Sequence, residues 1–349
     1  MTPPRLLTTI GIGAAGLALL AGCGTTAVGE EAGSATSAPA SESCADDTTE
    51  TSTDPVEITD GVGRTVKLDK PAERVAILEW QEVEDALTLC VNPVAVADPD
   101  GYSTWVSAEK LPKDTASAGT REEPDLDSIY KADPDLIIVE GFSKDEEILD
   151  QLEKQDVPVI VARGNNPKDP VGNMKDVFSL VAKATGRTER ADQVLKEFDE
   201  NVEERKKDVA KVDLETKDFL FFDGWIEGGN LSLRPYTDGA LFTELGKDLG
   251  LHPVWNEKVN KSNGTGGLDA DYGLAQTDIE GLTAVGEANL FYANDAASGY
   301  VDELEKSSIW KNLPAAKEGR AYEFPNVWGA GGPRSTQQAV DAYADLLTK

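Results

Sequence analysis

The sequence predicts an α/β fold: two α/β lobes joined by a single long bridging helix, with a ligand in the interlobe cleft. Three observations carry that expectation. Short β-rich runs alternate with helical patterns in residues 60–170, and the alternation returns in residues 213–349. Between them, residues 171–212 carry a helical apolar stripe with no loop of ordinary linker length. The apolar runs are continuous rather than alternating, as in strands buried on both faces of a parallel sheet.

The chain opens with Arg5 and an almost uncharged run, Leu6 to Gly22. At roughly 17 residues the run is marginal for a ~30 Å bilayer core, and no basic stop-transfer cluster follows, so residues 1–22 read as a signal peptide. The hexapeptide GIGAAG inside it, Gly11 to Gly16, matches a dinucleotide fingerprint but follows no strand and opens no βαβ unit. Residues 23–59 are rich in Ser, Thr, Ala, Glu and Asp. They bury too little surface to offset their ordering entropy and read as a flexible tether.

In the first lobe, RVAILEW (Arg74 to Trp80) reads as a strand, and QEVEDALTLC places Val83, Ala86, Leu87 and Cys90 at helical spacing. PVAVAD (Pro93 to Asp98), PDLIIVEG (Pro134 to Gly141) and VPVIVARG (Val157 to Gly164) follow as further strands. The bridging segment carries its stripe on Met174, Val177, Phe178, Val181, Ala191, Val194, Leu195, Phe198 and Val202, interrupted near Gly186. Its later half is heavily charged, as a solvated helix face should be. In the second lobe DFLFFDGWI (Asp218 to Ile226), ANLFYAND (Ala288 to Asp295) and RAYEFPN (Arg320 to Asn326) read as strands. TDGALFTELGKDLGL is helical and ends at Gly250, and STQQAVDAYADLL is the last helix. Two lobes joined in this way enclose a cleft, a favoured place for a small ligand.

Composition narrows the function. The formal net charge of −31 at pH 7 argues against nucleic acid as a partner, because phosphate contacts need a basic surface. One histidine, His252, and two methionines leave little for zinc, copper or haem ligation, and His252 beside Pro253 reads as a surface loop. No resident metal or cofactor is expected. GxSxG, HExxH, Walker A and CxxC patterns are all missing from the sequence, so an enzyme is not expected. Beyond Cys23 the cysteines are Cys44 and Cys90. In an oxidising compartment an even count favours a disulfide between them, stapling the end of the tether to the first lobe, with two unpaired thiols as the alternative.

The tetrapeptide Leu20-Ala21-Gly22-Cys23 resembles a bacterial lipobox. That resemblance implies cleavage before Cys23, a diacylglycerol on its thiol, and a protein lipid-anchored to the cell membrane and facing outside the cytoplasm. Several longer segments resemble the substrate-binding proteins of bacterial iron–siderophore and vitamin B12 uptake. They are PAERVAILEW, EEPDLDSIYKADPDLIIVEG, GALFTELGKDLGL and SSIWKNLPAAKEGRAYEFP, and the resemblance spans nearly all of Asp60 to Leu347. It implies a monomer that captures a ferric siderophore and delivers it to an ABC transporter permease. The ferric-hydroxamate binders are the most similar group. Haem or cobalamin binding on the same fold, with His252 as axial ligand, and siderophore ester hydrolysis are the competing expectations.

Within that resemblance, VADPDGYSTWVSAEKLP and AGTREEPDLDSI map a cleft tryptophan and a cleft arginine onto Trp105 and Arg121. VEGFSKD, DYGLAQTDIEGL and NVWGAGGPRS map cleft aromatics onto Phe142, Tyr272 and Trp328, two of which depart from the usual residue type. Trp105 sits in a segment rich in Tyr, Ser, Thr and Gly that reads as a loop. Tyr102, Trp80, Trp225, Arg234 and Arg334 are further candidates, whereas Trp310 reads as core. Rigid aromatic rings give contact area to a bulky chelate at little entropic cost, and a guanidinium donates several hydrogen bonds to chelating oxygens. Asp127 and Glu280 map to the acidic residues, one per lobe, that face permease arginines.

Overall fold

The computed structural model describes residues 42–294 and 298–349. The segment expected to be a signal peptide, residues 1–22, and Cys23 lie outside the described residues. An antiparallel hairpin of β1 (Val56–Thr59) and β2 (Thr65–Leu68) precedes the first lobe. That lobe then alternates β3 (Val75–Ile77), α1 (Trp80–Thr88), β4 (Ala95–Val96), α2 (Pro99–Trp105), β5 (Ala116–Ser117), α3 (Leu126–Lys131), β6 (Leu136–Gly141), α4 (Glu147–Leu152) and β7 (Val159–Arg163). The strands order as β5-β4-β3-β6-β7, all parallel. Every residue of β3 and nearly every residue of β6 is buried, which is why their apolar runs do not alternate. The chain moves outward from β3 in one direction and from β6 in the other. The carboxyl ends of these two neighbouring strands are therefore a topological switch point, where ligands of open α/β sheets sit.

The bridge differs from the single helix expected over residues 171–212. It is two helices, α5 (Pro170–Ala184) and α6 (Thr188–Val209). Gly186 breaks them, with φ of 72°, a conformation that a residue bearing a Cβ rarely adopts. Both straddle the lobes in opposite directions. Val177, Phe178 and Val181 of α5 join Ala191 and Val194 of α6 in the first lobe's core. Met174 joins Phe198 and Val209 in the second. The 22 residues of α6 span about 33 Å at 1.5 Å per residue, so the long helix of the bridge is α6.

The second lobe comprises β8 (Asp218–Glu227), β9 (Asn230–Pro235), α7 (Leu241–Asp248), β10 (His252–Pro253), α8 (Glu257–Asn263), β11 (Asn289–Ala293), α9 (Tyr300–Lys306), α10 (Ser308–Asn312), α11 (Pro314–Lys317), β12 (Ala321–Phe324) and α12 (Pro333–Leu347). Its sheet runs β10-β8-β11-β12 in parallel, with β9 antiparallel on β8.

Residues 42–59, expected to be part of the tether, are packed onto the first lobe. Cys44 is buried and bonded to Cys90. Asp47 pairs with Arg187, whose side chain also donates to the carbonyls of Leu89 and Thr49, and β1 completes the hairpin. A polar segment is held here by one disulfide and a buried guanidinium, features that composition does not report. Among the described residues no helix is long and apolar enough to cross a membrane.

The lobes are fastened by polar contacts as well. The α1 helix is buried along its whole length, including Gln81, Glu82, Glu84 and Asp85. Glu84 crosses to the other lobe, where its carboxylate accepts hydrogen bonds from the backbone N–H (2.8 Å) and the hydroxyl (2.5 Å) of Ser335, in the first turn of α12. At another point Asn165 donates to the carbonyls of Gly239 (3.0 Å) and Asp271 (2.7 Å).

Candidate functional site: the interlobe cavity

A cavity of about 560 Å³ lies between the lobes. Its lining comes from the carboxyl ends of the strands. Glu79 follows β3, Trp105 ends the helix after β4, Arg121 follows β5, Glu140 is in the last turn of β6, and Asn165 follows β7. The second lobe contributes Asp223 and Trp225 from β8, Arg234 from β9, Asn294 after β11 and Trp328 after β12.

Arg121 is the most constrained group at the site. Its Nε donates to Glu79 Oε2 at 2.8 Å and Nη2 lies 2.6 Å from the same oxygen. The guanidinium carbon sits 4.4 Å from the Trp80 ring centroid and 5.5 Å from that of Trp328, which meets Trp80 edge-on at 4.9 Å. Stacking and pairing fix the plane of the guanidinium and leave Nη1 unused by Glu79. Across the cavity Arg234 and Asp223 are directly opposite on β9 and β8 and make a bidentate pair of 2.9 and 2.5 Å. The Tyr236 hydroxyl adds a third bond to Asp223 at 3.1 Å.

Glu140 accepts a hydrogen bond from the Tyr272 hydroxyl of the opposite lobe. Burial, and then the neighbouring charge of Glu79, push its carboxyl up to about 7, while Tyr272 and Arg121 oppose the shift. Glu82, buried beneath, is driven well above the usual carboxylate range by burial and by Glu140 and Glu79. Burial also raises Glu79, against the pull of Arg121.

Six of the expected site residues meet in this cavity: Trp105, Arg121, Trp225, Arg234, Tyr272 and Trp328. Four do not line it. Tyr102 is fully buried with its hydroxyl donating to the Glu109 carbonyl, because the segment expected to be a loop is the helix α2 and turns Tyr102 into the core. Trp80 lies one layer down, as the platform for Arg121, with its indole N–H on the Ala97 carbonyl. Phe142 stands edge-on to Tyr272 at 5.5 Å and is 38% exposed, at the rim rather than in the lining. Arg334 is drawn away by Glu197 and Gln337. Trp310 is in the core, as expected. Asp127 is exposed in the first turn of α3, and Glu280 is exposed in a short 3₁₀ helix of the second lobe. His252 is exposed on the edge strand β10, outside the cavity lining, which removes the axial ligand that the haem expectation required.

Sequence reasoning missed Glu79, Glu140, Asp223 and Tyr236. A signal was present: each of the three acids follows or interrupts an apolar strand run, in VAILEW, LIIVEG and FLFFDGW. A carboxylate at the end of a doubly buried strand is carried to the cleft by the sheet itself.

The fold and the cavity are those of a two-lobed α/β protein with a ligand-sized cleft between the lobes. The periplasmic binding protein family matches residues 75–327, and the chain belongs to that family. Over 266 residues the chain is 25% identical to the Fe(3+)-citrate-binding protein YfmC of Bacillus subtilis, covering 76% of this chain and 77% of the relative. It is 23% identical to the iron(3+)-hydroxamate-binding protein FhuD of Escherichia coli over 268 residues, 76% and 84% of the two chains. The crystal structure of the siderophore-binding protein FhuD from Vibrio cholerae, bound to Fe3+–Desferal, superposes with a TM-score of 0.66 at 21% identity, covering 79% of this chain and 98% of that one.

Proposed function

We propose that the protein captures a ferric siderophore of the hydroxamate type in the interlobe cavity and delivers it to an ABC transporter permease for iron uptake. The observation that carries this is the lining itself. Aromatic rings (Trp105, Trp225, Tyr272, Trp328) and two fixed guanidiniums (Arg121, Arg234) converge from both lobes on one cavity of about 560 Å³. Rings supply rigid area for a bulky, partly apolar chelate, and a guanidinium donates to the oxygens around the iron. The relatives named for ferric hydroxamate and ferric citrate support a ferric chelate as the ligand, and the hydroxamate-binding relatives support the hydroxamate type. Delivery uses Asp127 and Glu280, exposed carboxylates on different lobes, against basic residues of the permease. Cys23 carries the lipid anchor, and the protein works as a monomer at the outer face of the cell membrane.

Tryptophan fluorescence titration tests the proposal, with ferric hydroxamates, ferric citrate, a ferric catecholate, haem and cobalamin as ligands. Saturable quenching by a ferric hydroxamate at sub-micromolar concentration, with the iron-free chelator weaker, is the expected result. Binding of haem or cobalamin with silence from every iron chelate would overturn it.

A further inference from the structure

The charged lining of the cavity is Glu79, Arg121, Glu140, Asp223, Arg234 and Asp269, four carboxylates against two guanidiniums. Both guanidiniums are committed before any ligand arrives, Arg121 to Glu79 and Arg234 to Asp223. Asp269 is exposed at the edge and spends its carboxylate on the backbone N–H groups of Asp271 and Tyr272. Glu140 is different. Its Oε1 accepts from Tyr272, its Oε2 accepts no hydrogen bond, and no lysine or arginine pairs with it among the described residues. Burial and the neighbouring charge of Glu79 push its carboxyl up to about 7, and the more distant charge of Arg121 offsets this only in part.

A glycine packs closely against the Oε1 side of this carboxylate. A Cβ on Gly164, itself in the lining, would stand 2.7 Å from Glu140 Oε1 and 2.7 Å from the edge of the Phe142 ring. Any side chain there would collide with the carboxyl group or the Phe142 ring and displace one of them. A half-buried, cavity-lining carboxylate with one oxygen free of hydrogen bonds and no salt-bridge partner is completed by a cation with N–H donors. An anionic chelate would instead bring like charge against it where water screens poorly.

Resting on the siderophore reading above, we propose that the cavity selects ferric chelates bearing a protonated amine, and that Glu140 takes the ammonium. The three donors of an ammonium suit the free Oε2, with Tyr272 holding the carboxylate in place through Oε1. Polyanionic chelates, with catecholate or carboxylate donors around the iron, are disfavoured by the same group.

The test uses three ferric trihydroxamates that share one iron centre: a linear chelate with a terminal primary amine, its N-acetylated form and its N-succinylated form. Calorimetric titration at pH 7.5 is expected to rank them amine, acetyl, succinyl. The amine form should bind about tenfold tighter than the acetyl form, the size of one charge-assisted hydrogen bond. In Glu140→Gln, which keeps an acceptor for Tyr272, the ratio between amine and acetyl forms should fall to near one. Equal affinity of the amine and acetyl forms for the unaltered protein would overturn the inference while leaving the siderophore reading intact. So would a ratio that persists in Glu140→Gln. Failure of all three chelates to bind would remove the siderophore reading, and the inference with it.

Discussion

Glu84 offers a quantitative test of how the lobes are joined. It lies on a fully buried helix of one lobe and accepts two hydrogen bonds from Ser335 at the start of α12 in the other. Burial pushes its carboxyl from the ordinary 4.5 up to about 7, although both bonds from Ser335 pull it down. The folded protein therefore binds this proton more tightly than the unfolded chain does. The group's contribution is greatest below pH 4.5 and is lost as pH rises towards 7. A displacement of this size corresponds to roughly 3 kcal/mol across that window. Asp85, also driven well above its usual range by burial and by Glu84 and Glu82, adds a slope of the same sign. Self-repulsion of a strongly anionic surface acts in that direction too, so the wild-type profile alone does not isolate Glu84. Glu84→Gln does, because the amide still accepts from Ser335 but no longer titrates. Urea unfolding at pH 5, 6, 7 and 8 should show wild-type stability falling with pH, and the variant falling by roughly 3 kcal/mol less. Equal slopes for the two proteins, or a wild type that gains stability between pH 5 and 7, would refute the reasoning.

Three further outcomes are expected. Replacing Cys44 and Cys90 with serine opens a loop with a sequence separation of 46 residues, and should cost roughly 4 kcal/mol by chain entropy, read as a lower urea midpoint. Arg121→Ala removes a cavity-lining guanidinium and leaves Glu79 without its ion pair; affinity for a ferric hydroxamate should fall by roughly tenfold to a hundredfold, measured by fluorescence quenching. Asn165→Ala strands the carbonyls of Gly239 and Asp271, and should lower stability by about 2 kcal/mol in urea unfolding while increasing hydrogen exchange at the cavity rim.

The sheets were legible in the sequence because their central strands are buried on both faces, and continuous apolar runs such as LIIV in β6 announce that burial directly. The weak elements were not. β9, β10 and the short helices α2, α4 and α8 to α11 are held by neighbours rather than by their own periodicity, and the α2 segment read as a loop because Gly, Ser and Thr dominate it. The break at Gly186 was visible as an interruption, but its consequence, a bridge of two opposed helices, depends on which core each half enters. At the site, Trp105, Arg121 and Trp328 were found by resemblance to relatives. Glu79, Glu140 and Asp223 were hidden among 64 acidic residues: their place at the end of an apolar run marks them in the sequence, but only the sheet topology shows that these strand ends meet at one cavity. Tyr102 shows the converse, a residue type suited to a cleft that one turn of helix directs into the core.

The central claim is that the iron is carried between the lobes, and anomalous diffraction at the iron absorption edge from crystals of the protein with a ferric hydroxamate locates the metal without reference to any side chain. The account predicts a single strong iron peak inside the interlobe cavity, between Arg121 and Trp328 on one side and Trp225 and Arg234 on the other. An iron peak anywhere outside that cavity, with the cavity free of chelate density, would contradict it.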